Sequence, residues 1–76
     1  MSLPHASWQI AKISVLRHYY NMACVYALLG RKELALRYLQ IAAMNGYATA
    51  EGMDGDPDLE AVRGEPAYRA LVRTKL

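Results

Sequence analysis

The side chains with the strongest potential for chemistry are a single thiol and two histidines. Cys24 could act as a nucleophile only with a base in hydrogen-bond reach, and the histidine nearest in sequence is His18. On a helix, six steps of about 100° leave the two side chains about 240° apart, so they face away from each other. We therefore predict that Cys24 fills space in the core and that the chain is not an enzyme.

The acidic segment DGDPDLEAVRGE, residues 54–65, is a second group of candidate ligands. Three acids alternate and a fourth follows at the twelfth position of a loop: Asp54, Asp56, Asp58 and Glu65. This spacing is similar to that of a calcium loop, but the sixth position, where such a loop needs glycine, holds Leu59. Asp56 before Pro57 is typical of a helix N-cap followed by a first-turn proline. We predict helix capping here, with no metal and no cofactor.

The composition limits the classes of protein that this chain of 76 residues can form. Hydrophobic residues make up 54% and charged residues 21%, as in ordinary globular domains. One cysteine excludes an internal disulfide, and no Cys/His cluster has zinc spacing. A domain this short buries only about 60% of the surface that its unfolded chain exposes. We therefore expect help from association with a second copy or with a larger protein.

The charge distribution and the hydropathy pattern disfavour several classes of partner. Residues 1–49 hold five basic side chains against one acidic, and residues 50–65 hold six acidic against one basic. This separation suits self-association better than nucleic-acid binding, because the basic residues form no stripe. No apolar run reaches the roughly 18 residues of a membrane span, and the start lacks the pattern of a secretory signal. We expect a cytoplasmic protein with no membrane, nucleic-acid or small-molecule partner.

Helical spacing dominates the first half of the chain. No proline or glycine occurs between Ser7 and Leu29, and apolar residues recur every three or four positions. The predicted buried face of this helix is Trp8, Ala11, Val15, Tyr19, Met22, Tyr26 and Leu29. Ser7 is a candidate N-cap and Gly30 a helix stop. A second helix follows at once and ends at Asn45-Gly46, so the two helices should pack antiparallel.

The remaining segment predicts short helices. Thr49 could cap a turn that Gly52 soon ends, and Asp56 could cap a short helix that ends at Gly64. A last helix should begin at Glu65-Pro66 and run to about residue 75, and its predicted buried residues are Tyr68, Leu71 and Val72. Since no segment has a strand pattern, the sequence predicts an all-α fold with short C-terminal capping helices.

Small and large residues alternate where the two long helices should meet. Antiparallel helices approach most closely where an alanine of one faces a large side chain of the other. The small partners are predicted to be Ala23, Ala35 and Ala42, and the large partners Tyr19, Tyr26 and Leu39.

This hairpin resembles a tetratricopeptide repeat, which has 34 residues. With Leu16 as the first position, the matching residues are Tyr19, Met22, Ala23, Tyr26, Gly30, Ala35, Leu39 and Ala42. The pattern departs from the family at Tyr47, where proline is usual, and the tail GDPDLEAVRGEPAYRAL looks like a C-terminal run of bacterial members. The resemblance implies one domain, with an N-terminal helix extension (1–15), a repeat (16–49) and capping helices (50–76). A similar hairpin outside the family is the alternative.

The resemblance implies a non-enzymatic module for protein–protein interaction. The groove positions of the family fall on Arg17, Tyr20, Asn21 and Cys24 in this chain. One Arg and one Asn fall short of the carboxylate clamp of the chaperone-binding subclass, and both side chains could simply be solvated. The rival interpretation is a structural capping fragment of a longer repeat protein, with no partner groove of its own.

The N-terminal extension predicts self-association. One hairpin cannot bury its apolar faces, and about three repeats are normally needed for stability. Trp8, Ile10 and Ile13 project beyond the repeat and could dock on a second copy to form a homodimer. Alternatively, Trp8 folds back onto the last helix as part of the core.

Overall fold

The computed structural model describes the backbone of residues 5–74 and the side chains of residues 11–74. Four α-helices and one 3-10 helix follow in order: α1 (His5–Leu28), α2 (Lys32–Met44), α3 (Ala50–Asp54), the 3-10 helix (Pro57–Val62) and α4 (Pro66–Arg73). No strand occurs between residues 5 and 74, so the predicted all-α fold is confirmed. Within that range, no helix combines the length and apolar character that crossing a bilayer requires.

Glycines in the left-handed conformation end both helices of the hairpin. Gly30 has a φ of 77°, and its amide donates to the Ala27 carbonyl while the Arg31 amide donates to the Tyr26 carbonyl. This pair of bonds is a Schellman cap, which a residue with a Cβ atom would strain. Gly46, with a φ of 85°, ends α2 in the same way. The chain therefore reverses within residues 29–31, and α2 packs back along α1.

Alanines line the contact between α1 and α2, as predicted. Ala23, Ala35 and Ala42 have no exposed surface, and Leu39 beside them is equally enclosed. The absence of larger side chains lets the two backbones approach, and the buried leucine fills the space that remains.

Three tyrosines close one edge of this contact. The Tyr38 ring lies between Tyr26, at 5.6 Å between centroids, and Tyr19, at 5.8 Å. Both pairs are stacked, and each ring is half-buried. The stack adds to the apolar burial of the hairpin.

The predicted buried face of α1 is wrong in most of its members. Val15, Met22 and Leu29 are exposed, whereas Leu16 and Ala27 are buried. The periodicity favoured the larger apolar residues, but the short distance to α2 admits mostly small ones. The starting point also differs: α1 includes His5, so Ser7 lies inside the helix and is not its N-cap.

Local capping positions the C-terminal segment. The Thr49 hydroxyl accepts the Gly52 amide at 3.0 Å, as predicted, but α3 continues through Gly52 to Asp54. Asp56 caps the next element by accepting the Asp58 amide at 3.0 Å, and that element is a 3-10 helix. It packs on α1, while α4 packs on α2.

The last helix buries the predicted side. Tyr68 and Leu71 are buried and Val72 is half-buried. The helix ends at Arg73, and the predicted end near residue 75 lies outside the described residues.

The unequal lengths of the two hairpin helices make the molecule elongated. α1 has 24 residues and α2 only 13, so the start of α1 extends past the hairpin. The radius of gyration is 13.2 Å, against about 11 Å for a compact chain of this length. Among the described side chains near the start of α1, Lys12, Ile13 and Val15 are exposed.

Candidate functional site

The four predicted groove residues lie on α1 in two different environments. Arg17 and Asn21 are exposed, Tyr20 is half-buried, and Cys24 is buried. The structure thus leaves two of the four open to an outside partner. Whether they bind a peptide stays a prediction.

Tyr20 and Cys24 contact the start of the 3-10 helix. The Tyr20 hydroxyl donates to Asp56 Oδ2 at 2.7 Å, and Cys24 Sγ lies 3.9 Å from the same oxygen. The Tyr20 ring also packs against Tyr47, with 6.0 Å between centroids. Sequence spacing could not reveal these contacts, because Asp56 lies more than thirty residues away from both partners.

Arg63 and Tyr68 fix the same segment from its other side. The Arg63 guanidinium donates to the Asp56 carbonyl, and the Tyr68 hydroxyl donates to Asp54 Oδ1. The acidic segment is therefore held by donors from α1, from α4 and from Arg63. These contacts cover the Tyr20 side of α1, which we call the closed side.

Burial on the closed side favours the protonated forms of the Cys24 thiol and of the Tyr20 and Tyr68 hydroxyls. Desolvation, with the nearby Asp56 carboxylate, raises the pKa of the Cys24 thiol from 9.0 to about 11. Desolvation and the hydrogen bond to Asp54 raise the pKa of Tyr68 to about 12. The same two effects, with Asp56 as the acceptor, raise the pKa of Tyr20. A protonated thiol is a poor nucleophile and a poor metal ligand.

Cys24, Asp56 and Asp58 form the one cluster of potential metal ligands, with ligand atoms within 4.8 Å of one another, among the described residues. Both carboxylate oxygens of Asp56 already accept hydrogen bonds from within the chain. Cation binding would also require Cys24 to lose a proton that its surroundings retain. These donors fit a helix cap better than a metal site.

The outer surface of α1 carries apolar side chains that the sequence interpretation had placed in the core. Val15 and Met22 are exposed there, beside Val25, which was not part of the predicted buried face, and His18 lies among them. A depression of about 200 Å³ is lined by Val15, His18, Tyr19, Met22 and Tyr38. We call this surface the open side of α1.

The predicted self-association residues lie on the extension of α1. Ile13 is 53% exposed. Trp8 and Ile10 belong to α1, but their side chains lie outside the described residues. Self-association through these three residues stays a prediction.

A second apolar surface lies between α2 and α4. Leu36, Met44 and Leu71 contribute to an open groove of about 510 Å³, with Glu33 and Arg37 among its polar lining. It is broader and more polar than the depression on α1.

Comparison with known proteins gives a partial similarity to a chloroplast protein of Arabidopsis thaliana. The two are 33% identical over 54 residues, a match that covers 71% of this chain and 16% of the plant protein. The chain thus matches a small part of that relative. No family model matches the chain, and no solved structure matches it. The tetratricopeptide assignment therefore stays a prediction that rests on the repeat positions.

Proposed function

We propose that the chain is a non-enzymatic protein–protein interaction module of tetratricopeptide type that associates with itself. The observation that carries this proposal is the row of large apolar side chains exposed along α1. Contiguous apolar surface of this kind is uncommon on isolated domains and is typical of interaction sites. Its proposed partners are proteins or peptides in the cytoplasm, including a second copy of the chain.

Two features favour self-association over recruitment alone. The chain is short for a stable isolated domain, and its longest helix extends beyond the helix that covers it. A second copy would cover exposed apolar side chains of α1, such as Val15 and Met22. Residues 1–49 and 50–65 also carry opposite net charge, which disfavours repulsion between copies.

A peptide site would use the exposed pair on α1. Arg17 and Asn21 are four residues apart and so lie on one helical face. Together they could hold a carboxylate or a backbone carbonyl of an extended peptide, since a guanidinium binds carboxylates well.

The second candidate function is that of a capping unit in a longer repeat protein. The contacts of Asp56 with Tyr20 and Cys24 favour it, because the chain covers one side of its own hairpin. A capping unit would leave its other side for a preceding hairpin and would bind no outside peptide.

Sedimentation equilibrium of the whole chain, from micromolar to millimolar concentration, tests self-association. We expect the average mass to rise with concentration above 8.5 kDa. A constant monomer mass would exclude self-association and leave the capping unit as the better account.

Recruitment is tested separately by the double variant Arg17→Ala and Asn21→Ala. Because both side chains are exposed, the variant should stay folded, as circular dichroism would verify. A captured protein partner that is lost with this variant supports a peptide site, and retention of the partner contradicts it.

A further inference from the structure

The open side of α1 has the spacing of a coiled-coil seam. Exposed residues recur at alternating steps of four and three: Ala11, Val15, His18, Met22, Val25 and Leu29. This is the spacing at which side chains face the partner when two helices pack lengthwise. Four of these side chains retain large exposed fractions: Val15 51%, Met22 40%, Val25 48% and Leu29 66%.

The depression on this side has the form of a coiled-coil hole. In a coiled coil, a side chain of one helix enters a hole made by four residues of the other. Val15, His18, Tyr19 and Met22 stand at the spacing i, i+3, i+4 and i+7, and they line the depression together with Tyr38. A flexible thioether could fill such a space and contact the edges of both tyrosine rings.

We propose that the open side of α1 pairs antiparallel with the same side of a second copy, with Met22 of each chain inserted into the hole of the other. This inference rests on the proposed self-association and specifies its contact, its direction and its register. It assigns the contact to the Met22 side of α1 and not to the side that carries Ile13.

The register follows from matching the heptad positions across a two-fold axis. In one antiparallel register Ala11 faces the partner's Leu29, Val15 faces the partner's Val25, and His18 faces the partner's Met22. The axis then passes beside position 20. Each copy contributes each residue of the seam once, so the surface is complementary to itself, as a two-fold interface requires. In this register Ala11, the smallest residue of the seam, faces the partner's Leu29, a large one.

Charge favours the antiparallel direction. No acidic residue occurs anywhere in α1, and no basic residue occurs in its last turn, so its helix dipole is not compensated by its own side chains. In the proposed register the last turn of each helix lies opposite Lys12 of the other copy, and a basic side chain is favourable beside the negative end of a helix. A parallel pair would instead set like ends of the two helix dipoles side by side.

The area of the seam indicates a weak dimer. From residue 11 to residue 29 a helix rises about 27 Å, and a strip about 10 Å wide along it covers roughly 300 Å² on each copy. A stable interface usually buries about 800 Å² on each partner. The half-buried rings of Tyr19 and Tyr26 border the seam and would extend the contact. We therefore expect dissociation in the micromolar range or weaker.

Sedimentation equilibrium of the whole chain and two aspartate variants tests the contact. Met22→Asp places a charge in the seam and should weaken association at least tenfold. Met44→Asp is the matched control, because Met44 is 62% exposed and lines the groove between α2 and α4. It should associate like the parent chain. A parent dimer that Met22→Asp leaves intact overturns the seam alone, whereas a monomeric parent chain overturns self-association as well.

Single cysteines test direction and register. In a Cys24→Ala background, a Val15→Cys chain is mixed with an equal amount of a Val25→Cys chain and oxidised. The antiparallel register predicts the mixed disulfide as the main product, because the two Cα atoms must lie within about 7 Å. Equal or greater amounts of the two self-linked products would overturn the proposed register and favour a parallel pair.

Discussion

The two sides of α1 differ in what covers them, although both belong to one helix. On the closed side, Tyr20 and Cys24 meet a segment that hydrogen bonds and a helix cap hold in place. On the open side, Val15 and Met22 are exposed and line a depression with Tyr19 and Tyr38. Burial within the chain therefore stabilises the fold on one side of α1, and the other side is the one that we propose for association.

The largest predicted effect concerns the contact between α1 and α2, on which both sides depend. Ala35→Leu forces a larger side chain into a fully enclosed position. It should lower the free energy of unfolding by about 1–3 kcal/mol in chemical denaturation. Ala61→Leu, at an exposed position of the 3-10 helix, is the control and should change it by less than about 0.5 kcal/mol. Equal effects of the two variants would contradict the alanine contact.

The closed side should depend on Asp56. Asp56→Ala removes the acceptor of the Tyr20 hydroxyl and the cap of the 3-10 helix. Loss of a cap alone costs about 0.5–2 kcal/mol, and the unpaired hydroxyl adds to it, so we expect about 1–3 kcal/mol in urea denaturation.

Asp58→Ala is the matched control for Asp56. The side chain of Asp58 is exposed, so its loss should leave the free energy of unfolding nearly unchanged. If both variants unfold at the same urea concentration, the closed side is not held by Asp56.

The closed side should also weaken at high pH. The folded chain keeps Cys24 protonated up to about pH 11, against 9.0 for the ordinary thiol. Between these values the unfolded chain has released the proton and the folded chain has not. The contribution of Cys24 to the free energy of unfolding should therefore be constant below pH 9 and fall as the pH rises toward 11.

Urea denaturation at pH 8, 9 and 10 would measure this decline. Cys24→Ala should flatten it, while the raised pKa values of Tyr20 and Tyr68 leave a residual fall above pH 10. If the free energy of unfolding falls equally with pH in the parent chain and in Cys24→Ala, the Cys24 thiol does not cause the decline.

The smallest predicted effect on stability concerns the open side. Met22→Asp should change the free energy of unfolding of the monomer by less than about 1 kcal/mol, because its side chain lies outside the core. Dilute samples at submicromolar concentration would isolate this value from association. A loss as large as that of Ala35→Leu would show that Met22 belongs to the fold and not to an interface.

The hairpin and its caps were predictable because their signals are local. Gly30 and Gly46 mark helix ends through one backbone conformation each, and Thr49 and Asp56 cap through amides a few residues away. The alanine contact was predictable for a similar reason, since only small residues permit close backbones.

The two sides of α1 were not predictable, because their neighbours are distant in sequence. The periodicity placed Met22 in the core, and only the position of α2 shows that it lies outside. Likewise, the partner of Tyr20 comes from a segment beyond the hairpin. The continuation of α3 through Gly52 depends on the turn that Thr49 stabilises, which offsets the low helix propensity of glycine.

The average mass of the chain as a function of concentration tests the central claim most directly. If the open side of α1 is an interface, sedimentation should give values that climb from 8.5 kDa toward twice that mass as the chain is concentrated. Values that stay at 8.5 kDa up to millimolar concentration would contradict the account.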